Sequence, residues 1–343
     1  VLVHGAVTAG RAGETLAALG ELADAGVVGY SDDGAPVRSA AILRNALAYA
    51  GSLGLPIVDH PEDPSLTDGA EAAEGYVSTV LGLKGWPGSA EAGSVARSIA
   101  ILADVVRDVP GARLHLTHVS TAASLSQVRA AKAAGLPVTC DVTPHHIGLT
   151  DQWIAGSRRW AWESLDAVGR ALDPWADGSL VAAPFDTSLR VNPPLRPAED
   201  AAACLAALLD GTVDAIATDH APHTEVDKHV EFGWAANGIS GIETAIGIVL
   251  AAVDAGVMPL ARAVAALTTG PAGVLAGRRT GDGVSTSFGD GDPADLVVID
   301  RGASWTVDAD ALRSKGKNTP LLGRDLTGVV RLTVAGGRIA FEA

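Results

Sequence analysis

The sequence predicts an α/β fold: an incomplete (β/α)8 TIM-type barrel, strands 3–8 present, with a small β domain at the carboxyl end. Three observations carry this. Short apolar runs alternate with alanine-rich amphipathic stretches from residue 1 to about 280. Those runs lack polar alternation, as in parallel strands buried on both faces. Beyond residue 281 the pattern changes to alternating runs punctuated by glycine, which reads as antiparallel β. A doubly wound sheet is the other way to arrange βα units, but no G-x-G-x-x-G turn follows any of these runs.

The units follow in order. "VLVHGAVT" reads as a strand and "GETLAALGELADA" as a helix. "GVVGYSDDG" is a strand ending in acids, and "SAAILRNALAYAGSLG" a helix stopped at Gly54. "LPIVDH" is the next strand, followed by a loop holding Pro61, Pro64 and Pro87. A helix ("AEAGSVARSIAILADVVRDV"), a strand ("ARLHLTHVS"), a helix ("AASLSQVRAAKAAG") and a strand ("LPVTCDVTPHH") come next. Then come a helix, "AEDAAACLAALLDG", and a strand, "VDAIATDH". These are six strands before His220, two short of a closed barrel, and the missing pair is expected upstream of Val1. Residues 153–185 interrupt the rhythm with Trp153, Trp160, Trp162 and Trp175, and read as an insertion packed on the barrel. "GDPADLVVID" and "GVVRLTVAGGRIAFEA" make the small β domain, residues 281–343, after a barrel domain of residues 1–280.

Composition narrows the function. A chain of 343 residues with 48% hydrophobic content can bury a large core. Its net charge of −15 repels phosphate backbones and anionic membranes, so neither nucleic acid nor a membrane is an expected partner. No apolar run is long enough to span a bilayer. Cys140 and Cys204 form neither a disulfide framework nor a C-x-x-C pair, which suits a reducing, cytoplasmic setting.

The strand ends carry the chemistry. Asp32 and Asp33, His60, His118, His145 and His146, and Asp219 each close a predicted strand at its carboxyl end. That end of a parallel barrel is where several strands assemble a site. Each residue also has a structural reading: a turn at Asp32–Asp33, an N-cap at Asp219, a hydrogen-bonded histidine elsewhere. Recurrence at one end favours a shared site of divalent-metal ligand types. Strand alternation allows one of Asp32 and Asp33 to face inward, sets Asp59 opposite His60, and sets His115 opposite His118. It does not say which member points in.

Taken together, these motifs resemble a class I dihydroorotase of the amidohydrolase superfamily. They stand as "SDDG", "DHPEDP", "HLTHVST", "TCDVTPHH", "VNPPLR", "DAIATDHAPH", "GISGIETA" and "KNTP", in that family's order across essentially the whole chain. The resemblance implies Asp33, His60, His118 and Asp219 as ligands of one or two divalent ions, Zn²⁺ in the first place. It implies Asp219 as catalytic proton carrier, and Asn192, His223 and the backbone near Gly238 as substrate contacts. The implied reaction is reversible cyclisation of N-carbamoyl-L-aspartate to L-dihydroorotate in pyrimidine synthesis, with a homodimer or an association with aspartate transcarbamoylase as assemblies. An allantoinase- or hydantoinase-like amidase is the alternative, opposed by the acid at Asp33 where such relatives carry a carboxylated lysine. A catalytically silent partner of aspartate transcarbamoylase is another, opposed by the filled ligand positions. Two departures stand out. The family's H-x-H pair with its arginine, and a second-strand asparagine, are absent from these residues, so this chain alone is expected to have little activity. The tryptophan-rich insertion is the other departure.

Overall fold

The strands of the main sheet run parallel and follow one another in chain order. The structure, a computed structural model, describes residues 1–275, 289–292 and 294–343. Strands β1 (Tyr30–Ser31), β2 (Ile57–Asp59), β5 (Leu114–Leu116), β6 (Val138–Val142) and β7 (Ala215–Ile216) lie side by side in that order. No strand reverses the progression, as a doubly wound sheet would require. The result is an arc of parallel strands of the barrel type. Among the described residues no pairing closes the arc into a ring.

Register divides each strand between two faces. Val58, His115 and Thr139 sit at one level, and Asp59, Leu116 and Cys140 at the next. Ile57, Leu114, Leu116, Cys140 and Val142 point outward into a buried core. Helices Ala40–Ser52, Ser89–Val105, Ala122–Ala133 and Ala198–Asp210 cover that face, each packed against the next. Their ends match the sequence signals. Ser39 caps the first through Ile42 N–H, Thr121 caps the third through Ser124 N–H, and Gly211 ends the fourth in the left-handed region. The inner face is mixed: His115, Thr117 and Asp141 line a cavity of about 470 Å³ together with Val58 and Ile216.

Several predicted elements differ. "VLVHGAVT" forms no regular strand; it runs parallel to the β1 segment through one bridge, Gly5 to Tyr30, and backbone hydrogen bonds from Val28 to Val3, Gly5 to Gly29 and Ser31 to Gly5. The helix expected over residues 13–25 is confined to Leu19–Asp24, because the chain bends at residues 13–15, with Gly13 at φ +73°, and Leu16 pairs with Thr8. The proline-bearing loop after β2 contains helices Pro64–Thr67 and Tyr76–Leu81 and a parallel pair, β3 (Ala72–Ala73) with β4 (Gly85–Trp86). No helix of the described residues is long and apolar enough to cross a membrane.

The insertion builds a second core. Trp153 is fully buried and stands 6.0 Å from Trp160, which stacks on Trp162 at 5.4 Å. Arg324 lies over the Trp160 ring at 3.9 Å, a cation–π contact that ties the carboxyl-terminal segment to the insertion. The tail forms an antiparallel sheet of β8 (Leu296–Thr306), β9 (Asp325–Ala335) and β10 (Arg338–Glu342). Leu326 of β9 seats on helix Ala245–Asp254 at Gly247, where an added Cβ would come within 2.7 Å of it. The expected domain boundary near residue 280 lies outside the described residues.

Asp151, at the start of the insertion, is 3% exposed and donates its backbone N–H to Arg196 O. Burial pushes its carboxyl up to about 7, against a backbone hydrogen bond at Gln152. The folded chain therefore holds a proton that the unfolded chain releases, and stability falls as pH rises from the ordinary carboxyl range through 7. Asp151→Asn removes that penalty. Thermal unfolding should show the variant gaining on wild type more at about pH 8 than at about pH 4.

Candidate metal centre

Two of the alternations resolve as strand geometry demands. Asp59 points outward and accepts Ser98 Oγ–H at 2.7 Å from the covering helix, so His60 turns inward. Asp32 accepts Val7 N–H at 2.9 Å and the backbone and hydroxyl of Thr8, so it is a structural acid, and Asp33 is left facing the site. Gly34, at φ +72°, completes that turn.

The third does not. His115 and His118 both serve the inner side, because β5 ends at Leu116 and His118 takes a left-handed backbone, φ +40°. The turn redirects a side chain that an extended strand would have sent outward. Asp141 of β6 holds it. Its carboxylate accepts His118 N–H at 2.7 Å, Thr117 Oγ–H at 3.1 Å and His115 Nε2 at 2.7 Å. Burial would raise the Asp141 carboxyl, but the hydrogen bond and charge of His115 and the His118 N–H hold it below the usual range.

Asp33, His60 and His118 converge. His60 Nδ1 lies 2.8 Å from His118 Nε2 and 3.1 Å from Asp33 Oδ1; His118 Nε2 lies 3.2 Å from the same oxygen. Both imidazoles are buried, while the Asp33 side chain is half exposed. Two ring nitrogens and a carboxylate oxygen aimed at one another form a donor set for a divalent cation. Tetrahedral zinc with bonds of about 2.0–2.1 Å spaces its ligand atoms about 3.3 Å apart, close to these separations. The electrostatics agree. Burial opposes ionisation of Asp33, but hydrogen bonds from His118 and His60 drive its carboxyl well below the usual range. Burial lowers His60, and the carboxylates of Asp33 and Glu62 more than reverse this, raising it to about 9.

Asp219 stands outside this group of three. Its backbone is also left-handed, φ +45°. Burial raises its carboxyl; His118 and His60 pull it back, and Asp33 adds to the rise, so all three act on it electrostatically. His220 is structural, bridging to Ile239 and accepting Ile242 N–H. His145 and His146 do not join the cluster. His146 is held by Thr143 Oγ at 2.8 Å and Pro193 O at 3.2 Å, and burial pulls both imidazoles down.

The substrate candidates fall on joined loops. His223 Nε2 donates to Asn237 O at 2.8 Å, beside Gly238. Gly238 has φ +147°, and a Cβ there would come within 2.5 Å of Ala221 Cβ. Its N–H donates to Arg190 O, two residues before Asn192. Asn192 donates Nδ2–H to Glu62 Oε2 at 3.0 Å, and its Oδ1 is buried without a partner among the described residues. Three residues without a sequence-derived role hold this arrangement. Glu62 bonds both His60 and Asn192. Lys228, buried, donates to three backbone carbonyls, at Thr187, Arg190 and Ala236. Asn318 donates to Ala221 O and Gly238 O and accepts His223 N–H. The motifs "DHPEDP" and "KNTP" contain two of them; for Lys228 nothing in the sequence separates it from a solvated lysine.

Comparison with known proteins fits this geometry. A family model described as dihydro-orotase-like matches residues 1–124. The dihydroorotase of Anaeromyxobacter dehalogenans strain 2CP-1 is 46% identical over 338 residues, 98% of this chain and 70% of that protein. That of Pelotomaculum thermopropionicum is 44% identical over 339 residues, again 98% and 70%. Among solved structures, the L-hydantoinase of Arthrobacter aurescens superposes with a TM-score of 0.72 at 23% identity, covering 94% of this chain and 67% of that one. The dihydropyrimidinase of Brevibacillus agri gives 0.71 at 18%, covering 94% and 65%. Fold and relatives together define a hydrolase of the cyclic amidohydrolase class. Within that class, the chain belongs to the dihydroorotase family.

Two expectations follow. Asp141→Asn loses at least one of three hydrogen bonds to a buried charge and should cost about 1.5–3 kcal/mol in urea unfolding. Gly238→Ala should displace the His223 loop, read as a shift of the His223 ring signals in NMR spectra, with a loss of stability.

Proposed function

We propose that the site in this chain serves the dihydroorotase reaction, the reversible cyclisation of N-carbamoyl-L-aspartate to L-dihydroorotate in de novo pyrimidine synthesis, in the cytoplasm. The observation that carries the reading is the convergence of Asp33 Oδ1, His60 Nδ1 and His118 Nε2 in a chain of this family. A divalent ion, zinc first, held by these three would polarise the carbonyl under attack and make water acidic enough to ionise near neutral pH.

The chain's own residues divide the remaining work. Asp219 is the proton carrier between the attacking water and the amide nitrogen. Its raised carboxyl suits a group that must both take and return a proton. Asn192 presents a buried, unpartnered carbonyl oxygen, an acceptor suited to an N–H of the ureido group or ring. His223 and the backbone at Gly238 contact the opposite side of the ligand. The three-bond latch of Asn318 keeps that pair in register.

Asp219→Asn should slow interconversion of carbamoyl aspartate and dihydroorotate by about 10²–10⁴-fold. Zinc content, measured on the same preparation, should stay near wild type. A variant that keeps the wild-type rate removes Asp219 from the mechanism. Loss of zinc in the Asp219→Asn variant would instead make it chiefly a ligand.

A further inference from the structure

We propose that Glu62 is a positioning residue that links the metal cluster to the substrate side, setting the tautomer of His60 and the amide orientation of Asn192 through one carboxylate. The proposal rests on the metal reading above. Glu62 follows His60 by two residues and turns back over it. Its Oε2 lies 2.9 Å from His60 Nε2 and 3.0 Å from Asn192 Nδ2, while Oε1 accepts the hydroxyl of Thr67. The Glu62 side chain is 11% exposed and that of His60 3%, so water competes weakly for these bonds.

An ionised carboxylate only accepts hydrogen bonds. A cation held by Asp33, His60 and His118 would leave His60 a single proton; the Glu62 carboxylate holds that proton on Nε2, so the Nδ1 lone pair is the one free for the cation. The same logic fixes Asn192. Its NH₂ faces Glu62, so Oδ1, buried and unpartnered, is the atom left for a ligand. A ligand group at Asn192 is then an N–H donor, not a carboxylate. One side chain thus imposes donor and acceptor roles on both halves of the site.

The test is zinc affinity by chelator competition on the full chain. Glu62→Gln keeps the shape but replaces the carboxylate with a neutral amide, so the bonds from His60 Nε2 and Asn192 Nδ2, which share Oε2, lose their charge assistance. It should weaken zinc binding about 10–100-fold. Thr67→Val removes the third bond to Glu62 without touching His60 or Asn192, and should stay within about threefold of wild type, well short of that range. Equal loss in both variants would mean local packing and would overturn the proposal, as would undiminished binding by Glu62→Gln. If Glu62→Gln does not fold, zinc-loaded wild type decides alone. Long-range ¹H–¹⁵N NMR should show His60 protonated at Nε2, and a proton on Nδ1 overturns the assignment. Wild type that takes up no zinc defeats the metal reading itself, and this proposal with it.

Discussion

Asp141 accepts three hydrogen bonds from the stretch that ends β5: one each from His115, Thr117 and the backbone of His118. Everything inward of the sheet depends on that anchorage. A left-handed histidine is unfavourable for an L-residue and persists only where neighbours over-determine it. Without the turn, His118 would continue the outward alternation into an aliphatic core, and its nitrogen would never meet His60. The arrangement separates two tasks along one short segment. Leu114 and Leu116 supply hydrophobic burial, while His115 and His118 supply polar contacts on the inner side.

The two faces of the sheet solve different problems. The outer face is aliphatic and helix-covered, and supplies the burial that fixes the strand positions. With that secured, the inner face can carry a histidine, a threonine and an aspartate where barrels usually hold branched aliphatic side chains. These polar groups are affordable because they satisfy one another. The insertion plays the same supporting role at the mouth. Trp153, Trp160 and Trp162 fill a second core, Arg324 ties the insertion to the tail, and Lys228 ties the residues that follow it to the substrate-side loop.

Much of this was legible in the sequence, where the signal was periodic. The parallel βα order, the helices at residues 40–52 and 198–210, and the opposed directions of Asp59 and His60 all follow from alternation and capping; which of that pair faces inward came from the Ser98 contact. What failed were statements needing regular backbone where the chain is irregular. His115 and His118 share a side because φ at His118 changes sign, and no pattern of residue types announces that. Residues 13–18 carry helical spacing but form a bend followed by the pairing of Leu16 with Thr8, where tertiary contact overrides local preference. Glu62, Lys228 and Asn318 act through contacts to residues far away in sequence or across a turn, so their roles are invisible until the loops meet. The Asp219 carboxylate lies apart from the trio that its strand-end position suggested it would join.

Asn318 lies 95 residues beyond His223 and 80 beyond Gly238, yet it joins the loops that hold them. That separation sets an order of events during synthesis. The sheet and its helices can form as each βα unit emerges, since their contacts run between neighbours. The two loops stay unlatched until the tail has been made and has docked, so competence for ligand arrives last. A chain interrupted between Gly238 and Asn318 would keep its barrel arc and lose the register of its recognition loops.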